Sequence, residues 1–300
     1  MKSGTKSRSR QSSNYPLYGY LIFSCLILFS IFTAAIPTST LVIYLSKGNT
    51  SYLNKVKFLQ SITVKVIADY SSGTGVLITR KISDVTKTFV LTAAHVVDGL
   101  KNTDGTFREA LIYREYRVNG FKVSNEEIPA IIIAYDRDND IAILEVNEDN
   151  YTTEERTCEF YLQDKIPPPG TTLIHVGCTF GHYNSVMPGI MSQTYVFLPN
   201  IPESNGKVFD QTSIPAFPGS SGGGVFLENG QYVGMVTLWA GYPCLNWMVP
   251  VRRIQEWTRS IEMEWIIDPS IPVPTERKRT ELEKMVPEIQ EKDLNEMCIL

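Results

Sequence analysis

The sequence has little of what marks several classes of protein. Its five cysteines are too few and too scattered for a disulfide scaffold, and no two of them have the Cys-x-x-Cys spacing of a zinc or redox site. It has no excess of positive charge, since 28 Lys and Arg stand against 32 Asp and Glu, and this argues against nucleic acid as a partner. Only three histidines are present, so histidine chemistry has few candidates. We expect neither a metal nor a cofactor.

The rest of the composition is that of a folded protein. Hydrophobic residues make up 43% of the chain, and 20 Gly and 17 Pro are spread through it, which excludes a disordered chain, collagen, a long coiled coil and a polytopic membrane bundle. A length of 300 residues corresponds to about two average domains, although an all-β barrel protein can use 200–250 residues as one unit.

One long uncharged run lies near the N-terminus. Residues 1–16 form a basic stub without acids, and residues 17–45 contain no charge. Because about 20 apolar residues cross a bilayer, we expect a single transmembrane anchor over 17–45, followed by a linker over 46–60. The alternative is a signal peptide cleaved after Ala35, which would give a secreted protein. In both cases the remainder of the chain is expected outside the cytoplasm.

Downstream of the linker, short β-rich runs alternate with Gly, Pro and Asn turns. The sequence PPPG at 167–170 divides these runs into two sets, which predicts two β-barrels over about 61–165 and 171–251. Apolar side chains near helical spacing predict a closing helix over 252–267. The charged tail over 268–300 is expected to form a short surface helix or a flexible end.

Three short segments carry residues suited to acyl-transfer chemistry. LTAAHVV at 91–97 ends a strand with His95, and DNDIAIL at 138–144 places Asp140 at the start of an apolar strand. A carboxylate that points into an interior needs a partner, and His95 is the candidate. FPGSSGGGV at 217–225 surrounds Ser221 with glycines, which allow the backbone to turn sharply and aim N–H groups inward.

In the order His, Asp, Ser, these segments resemble the trypsin-like serine proteases of the chymotrypsin fold, and most closely their HtrA-type branch. The resemblance covers about residues 61–257 and extends to GCTFG at 177–181, PGIMS at 188–192 and Gln-Thr at 211–212. It implies an all-β double barrel with a C-terminal helix. No segment after Asp268 is long enough for the PDZ domain that often follows the protease in that branch.

The resemblance also implies a role for each site residue. Ser221 would attack the scissile carbonyl, His95 would accept and return its proton, and Asp140 would hold the imidazole in the working tautomer. The backbone N–H groups of Gly219 and Ser221 would form the oxyanion hole. Ser220 stands where digestive relatives have an Asp that pairs with a newly cut N-terminus, so activity need not await cleavage.

The resemblance assigns the substrate pocket to two segments. Pro215 stands six residues before Ser221, where a preference for Lys or Arg would require an acid, so a small or medium apolar side chain is favoured. Trp239 is expected to narrow the pocket if it occupies the usual glycine site. The expected pocket residues are Pro215, Ala216, Phe217, Thr237, Leu238 and Trp239.

The leading functional hypothesis is a membrane-tethered serine endopeptidase that acts on polypeptide substrates through an acyl-enzyme, in protein quality control or processing. The alternative from another class is a catalytically silent protease fold that serves as a peptide-binding or chaperone-like module. All three triad positions are intact, which favours the enzyme. Association into a homo-oligomer is left open, and the membrane is expected as a partner only through the N-terminal segment.

Overall fold

The computed structural model describes residues 38–239, 241–242, 244–276 and 278–279. Most of the predicted anchor over 17–45, and the part of the predicted tail beyond residue 279, lie outside these residues. None of the helices in the described ranges combines the length and hydrophobicity that a bilayer crossing requires. The chain divides into two units, Met1–Leu53 and Asn54–Leu300, and the second contains the barrels and the site described below.

The first described helix, α1, covers Thr38–Ser61. It includes residues 46–60, for which the sequence predicted a linker. The helix continues to Ser61, just before the first strand. Its last turn is anchored, because Leu59 is fully buried and the Thr63 hydroxyl donates a hydrogen bond of 2.8 Å to the Leu59 carbonyl. The last turn of α1 therefore belongs to the core of the second unit.

The first barrel is closed by six antiparallel strands in the order β1-β2-β3-β6-β5-β4. Its strand β6 reads IAILEV and is buried along its whole length, which explains the uninterrupted apolar pattern. The strands are β1 (Thr63–Ala68), β2 (Ser71–Ile82), β3 (Val85–Thr92), β4 (Ala110–Val118), β5 (Phe121–Asp136) and β6 (Ile141–Val146). A short helix, α2 (Ala94–Val97), follows β3 directly.

The second barrel has the same number of strands, in the order β10-β11-β12-β9-β8-β7. The strands are β7 (Thr172–Gly177), β8 (Ser185–Phe197), β9 (Val208–Thr212), β10 (Gly224–Leu227), β11 (Tyr232–Trp239) and β12 (Asn246–Pro250). The break at 167–170 lies between the barrels, as the sequence indicated. The all-β double barrel with a C-terminal helix is thus confirmed.

The closing helix, α3, covers Val251–Ser260 and is shorter than the predicted 252–267. It ends because Glu262 adopts a positive φ of 56°, which a continuous right-handed helix does not accommodate. The chain then returns to the first barrel, where the ring of Trp265 meets Phe89 edge to face at 5.5 Å between centroids. This segment therefore ties the end of the domain to the first barrel.

Candidate active site

His95 and Asp140 come together because their strands are neighbours. Strand β3 ends at Thr92 opposite Ala142 of β6, so α2, which follows β3, lies beside the residue that precedes β6. The His95 Nδ1 atom lies 2.9 and 3.0 Å from the two carboxylate oxygens of Asp140, and the His95 backbone N–H donates a third bond of 3.0 Å. The structure thus brings together the two residues that the sequence predicted as partners.

Asp140 is held as a carboxylate in a largely buried position. Its side chain is 9% exposed, and the Thr237 hydroxyl donates a further hydrogen bond to it, while the Arg137 guanidinium lies 3.7 Å away. Burial by itself would raise the pKa of the Asp140 carboxyl, but the hydrogen bonds from His95 and Thr237 lower it below its usual value. Since a carboxylate only accepts hydrogen bonds, it keeps the imidazole proton on Nδ1 and leaves Nε2 free to accept one.

Thr237 is the site residue whose role the sequence did not reveal. The sequence placed it among the pocket walls, which stays a prediction, and the structure adds that its buried hydroxyl donates a hydrogen bond to Asp140. A signal was present, because Thr237 is the only hydroxyl-bearing side chain in the inner part of the apolar strand VGMVTLW. A buried hydroxyl requires a hydrogen-bond partner, and the buried acid was one candidate.

Ser221 lies against the end of β3, next to the segment that carries His95. The Thr74 N–H of β2 donates a bond of 2.8 Å to the Ser221 carbonyl. Gly222 packs so closely on Thr92 and Ala93 that a Cβ atom there would lie 3.0 Å from the Ala93 nitrogen. No hydrogen bond joins Ser221 Oγ to His95 within the described residues. Such bonds are often long in unliganded sites and tighten when substrate binds.

The two predicted oxyanion donors, Gly219 and Ser221, share one structural property. Neither backbone N–H donates a hydrogen bond to any residue in the described part of the chain, which an oxyanion hole requires. Gly219 has a φ of +92°, and a Cβ atom there would lie 2.5 Å from the Cys178 carbonyl oxygen. This position therefore accepts only glycine.

The candidate oxyanion loop, residues 217–220, is held by hydrogen bonds within itself and to the first barrel. The hydroxyl of Ser220, which is 1% exposed, donates to the Phe217 carbonyl at 2.6 Å and accepts from the Phe217 N–H at 3.1 Å. Thr74 adds a bridge, since its hydroxyl donates to the Gly219 carbonyl at 2.7 Å and accepts from the Cys178 N–H at 2.8 Å. Neutral hydrogen bonds thus hold this loop.

The predicted pocket segments flank this loop. Ala216 is buried, and Pro215, Phe217 and Leu238 are half-buried. None of the predicted wall residues is of a charged type. The side chain of Trp239 lies outside the described residues, and with it the predicted narrowing of the pocket.

The two other histidines have different surroundings. His175 is fully buried in β7, where its Nδ1 lies 2.9 Å from the Gly224 carbonyl and burial lowers its pKa to about 4, so it is neutral. His182 is exposed in a turn. Of the three histidines, His95 is thus the one that is hydrogen-bonded to a carboxylate. No group of three or more His, Cys, Asp or Glu in the described ranges is placed to hold a metal ion.

Comparisons with known proteins agree with this geometry. A family model described as a trypsin-like peptidase domain matches residues 73–235, more than half of the chain. Probable periplasmic serine endoproteases described as DegP-like are 30% identical over 129 residues in Pseudomonas putida (strain W619) and 28% identical over 170 residues in Halomonas elongata. These matches cover 42% and 54% of this chain but only 25% and 30% of the relatives, so the chain spans less than a third of their length.

A solved structure of the HtrA-type protease AlgW with a tripeptide superimposes with a TM-score of 0.54 at 20% sequence identity. The match covers 71% of this chain and 64% of that chain. At this level of identity the likeness concerns the fold, and it agrees with the double barrel described above.

Proposed function

Because the chain belongs to the trypsin-like peptidase family, we propose that it is a serine endopeptidase of the HtrA/DegP type that cleaves polypeptides through an acyl-enzyme. The observation that carries the proposal is the hydrogen-bonded His95–Asp140 pair beside Ser221. The loop that contains Ser221 also has two candidate oxyanion N–H groups that have no acceptor among the described residues. The intact site favours an enzyme over a silent peptide-binding module.

In the proposed reaction, His95 Nε2 takes the proton of the Ser221 hydroxyl while its Oγ attacks the carbonyl carbon of the scissile bond. The negative oxygen of the tetrahedral intermediate accepts hydrogen bonds from the N–H groups of Gly219 and Ser221. Asp140 stabilises the imidazolium. His95 then gives its proton to the leaving amine, which leaves an ester on Ser221, and water hydrolyses this ester by the same steps.

The substrate is expected to bind as an extended strand with an apolar side chain in the pocket. Strand β11 pairs with β12 through Trp239, but its pairing with β10 ends at Met235. Within the described part of the chain, no strand pairs with the other edge at 237–239, so we expect a peptide to form backbone hydrogen bonds there. The uncharged residues at 215–217 support a small or medium apolar residue next to the scissile bond. The role that we propose for this cleavage is protein quality control or processing.

We further propose that the uncharged run over 17–45 tethers the protein to a membrane, with the barrels outside the cytoplasm. The curated relatives are named as probable periplasmic proteins, which supports this placement. Extraction of membranes from expressing cells with alkaline carbonate tests the tether. A pelleted, full-length protein supports it, whereas release of a chain shortened at Ala35 would favour a cleaved signal peptide.

The enzymatic proposal is tested with a fluorophosphonate probe, which labels only an activated serine. The folded wild-type chain should be labelled, Ser221→Ala should not, and Ser270→Ala, which removes an exposed serine after the closing helix, should match the wild type. If the folded wild-type chain shows no Ser221-dependent labelling, the enzymatic proposal is overturned and the peptide-binding module becomes the better description.

A further inference from the structure

Phe180 is an exposed residue outside the predicted triad and pocket, and it contacts the candidate oxyanion loop. Phe180 lies in the 3-10 turn Thr179–Gly181 that follows β7, and its side chain is 63% exposed. Its φ is +50°, a conformation that is unusual for a bulky residue and is kept only where the surroundings impose it. Neither the triad nor the predicted pocket explains an exposed aromatic ring in a strained turn at this position.

The backbone of Phe180 fixes the direction of one oxyanion donor. Its N–H donates a hydrogen bond of 2.7 Å to the Pro218 carbonyl. The peptide between Pro218 and Gly219 is planar and trans, so its N–H points away from its carbonyl. Holding the Pro218 carbonyl towards Phe180 therefore directs the Gly219 N–H away from the turn. If this peptide rotated, the carbonyl would take the place of the donor.

The side chain of Phe180 connects the turn to the start of the same loop. Its ring lies 5.2 Å from the ring of Phe217 between centroids, with 33° between the planes. Phe217 in turn exchanges two hydrogen bonds with Ser220 at the other end of the loop. The turn thus contacts the loop in two ways, through the aromatic pair and through the backbone bond to Pro218.

We propose that Phe180 is a positioning residue for the oxyanion hole. Its ring, packed on Phe217, keeps the turn in the conformation in which the Phe180 N–H holds the Pro218 carbonyl and so aims the Gly219 N–H at the developing oxyanion. This inference rests on the proposed function, because it assigns a residue to the same reaction.

The test measures how fast a fluorophosphonate probe labels Ser221 as the probe concentration is varied, since the phosphonyl oxygen uses the same donors as the oxyanion. Loss of one well-placed donor slows such reactions by about 100- to 1,000-fold, so Phe180→Ala should lower the maximal labelling rate constant at least about tenfold. The probe concentration for half-maximal rate should change less than about threefold. Phe180→Tyr, which keeps the ring, should restore the wild-type rate.

Two further variants separate this role from a general loss of structure. Phe121→Ala removes a ring that is 76% exposed on the β4–β5 hairpin and should label at the wild-type rate. Phe180→Gly removes the ring while suiting the positive φ, so it should fold and still label slowly. If the wild type is labelled and Phe180→Ala or Phe180→Gly is labelled at the same rate, the role of Phe180 is overturned while the proposed function stands. An unlabelled wild type instead overturns the proposed function.

Discussion

The buried hydroxyl of Thr74 offers a sharp test of how the two barrels hold the candidate oxyanion loop. Thr74 is fully buried in β2, and its hydroxyl joins the Gly219 carbonyl to the Cys178 N–H at 2.7 and 2.8 Å. Thr74→Val replaces that hydroxyl with a methyl group of similar size. The variant therefore removes both hydrogen bonds while creating almost no cavity.

The expected loss of stability in Thr74→Val follows from the two backbone groups that lose their hydrogen-bond partner. A buried donor or acceptor without a partner costs about 1–3 kcal/mol, and the buried Cys178 N–H loses its acceptor in Thr74→Val. Gly219 is a half-buried residue, so we expect the loss of the hydrogen bond to its carbonyl to cost about 1 kcal/mol, the net value of an ordinary hydrogen bond. The free energy of unfolding should fall by about 2–4 kcal/mol.

The measurement is urea unfolding followed by tryptophan fluorescence, since Trp247, Trp257 and Trp265 are all buried. The matched control is Thr88→Val. Thr88 is also fully buried in the first barrel, but its hydroxyl has no hydrogen-bond partner in the described residues. Replacing an unpartnered buried hydroxyl with a methyl group should leave the free energy of unfolding unchanged or raise it by about 1 kcal/mol.

A Thr74→Val variant within about 0.5 kcal/mol of the wild type would refute the role of the bridge. Equal destabilisation of Thr88→Val would also refute it, because burial and not the bridge would then set the loss of stability. Thr74→Ser keeps the hydroxyl, so it should retain most of the bridge and lie between the wild type and Thr74→Val. In Thr74→Val, labelling of Ser221 should also slow at temperatures where the variant is fully folded.

Three further outcomes are expected. Asp140→Asn should lower turnover of a peptide substrate by about 10⁴-fold, because an amide does not keep the His95 proton on Nδ1; a loss below tenfold would contradict the role of Asp140. Gly219→Ala should lower the fluorophosphonate labelling rate at least about 100-fold, since its Cβ would lie 2.5 Å from the Cys178 carbonyl; labelling at the wild-type rate would refute this. The pKa of His175 is lowered from 6.5 to about 4 by burial, so the unfolded chain binds the extra proton first, and stability should fall by about 3 kcal/mol as the pH drops from about 6.5 to about 4. Urea unfolding of His175→Asn over this range should show a flatter pH dependence, and an unchanged slope would count against His175 as the source.

The chemistry-bearing motifs were readable because each is local. His95 directly follows a strand, Asp140 directly precedes one, and Ser221 sits in a run of glycines, so a few adjacent residues carry the information in each case. Their order along the chain indicates the family without reference to the fold. The two barrels were predictable for the same reason, since turn residues and apolar runs alternate within short windows.

The supporting contacts were not readable because each joins residues far apart in the chain. The Thr237 hydroxyl reaches a carboxylate 97 residues away, and the Thr74 hydroxyl reaches a carbonyl 145 residues away. The Phe180 N–H meets Pro218 only because the turn after β7 lies beside the loop before β10. A Thr or Phe in a strand or turn has no local pattern that names its partner.

The sequence alone therefore determined which residues are suited to the chemistry and which kind of fold presents them. Closure of the barrels decided the rest: it set which strand ends are neighbours, which carboxylate oxygens find donors, and which N–H groups stay free. The reason is physical. A side chain's reactivity type is a property of its own atoms, whereas its orientation, its hydrogen-bond partners and its pKa depend on groups that only the folded chain brings within a few ångströms.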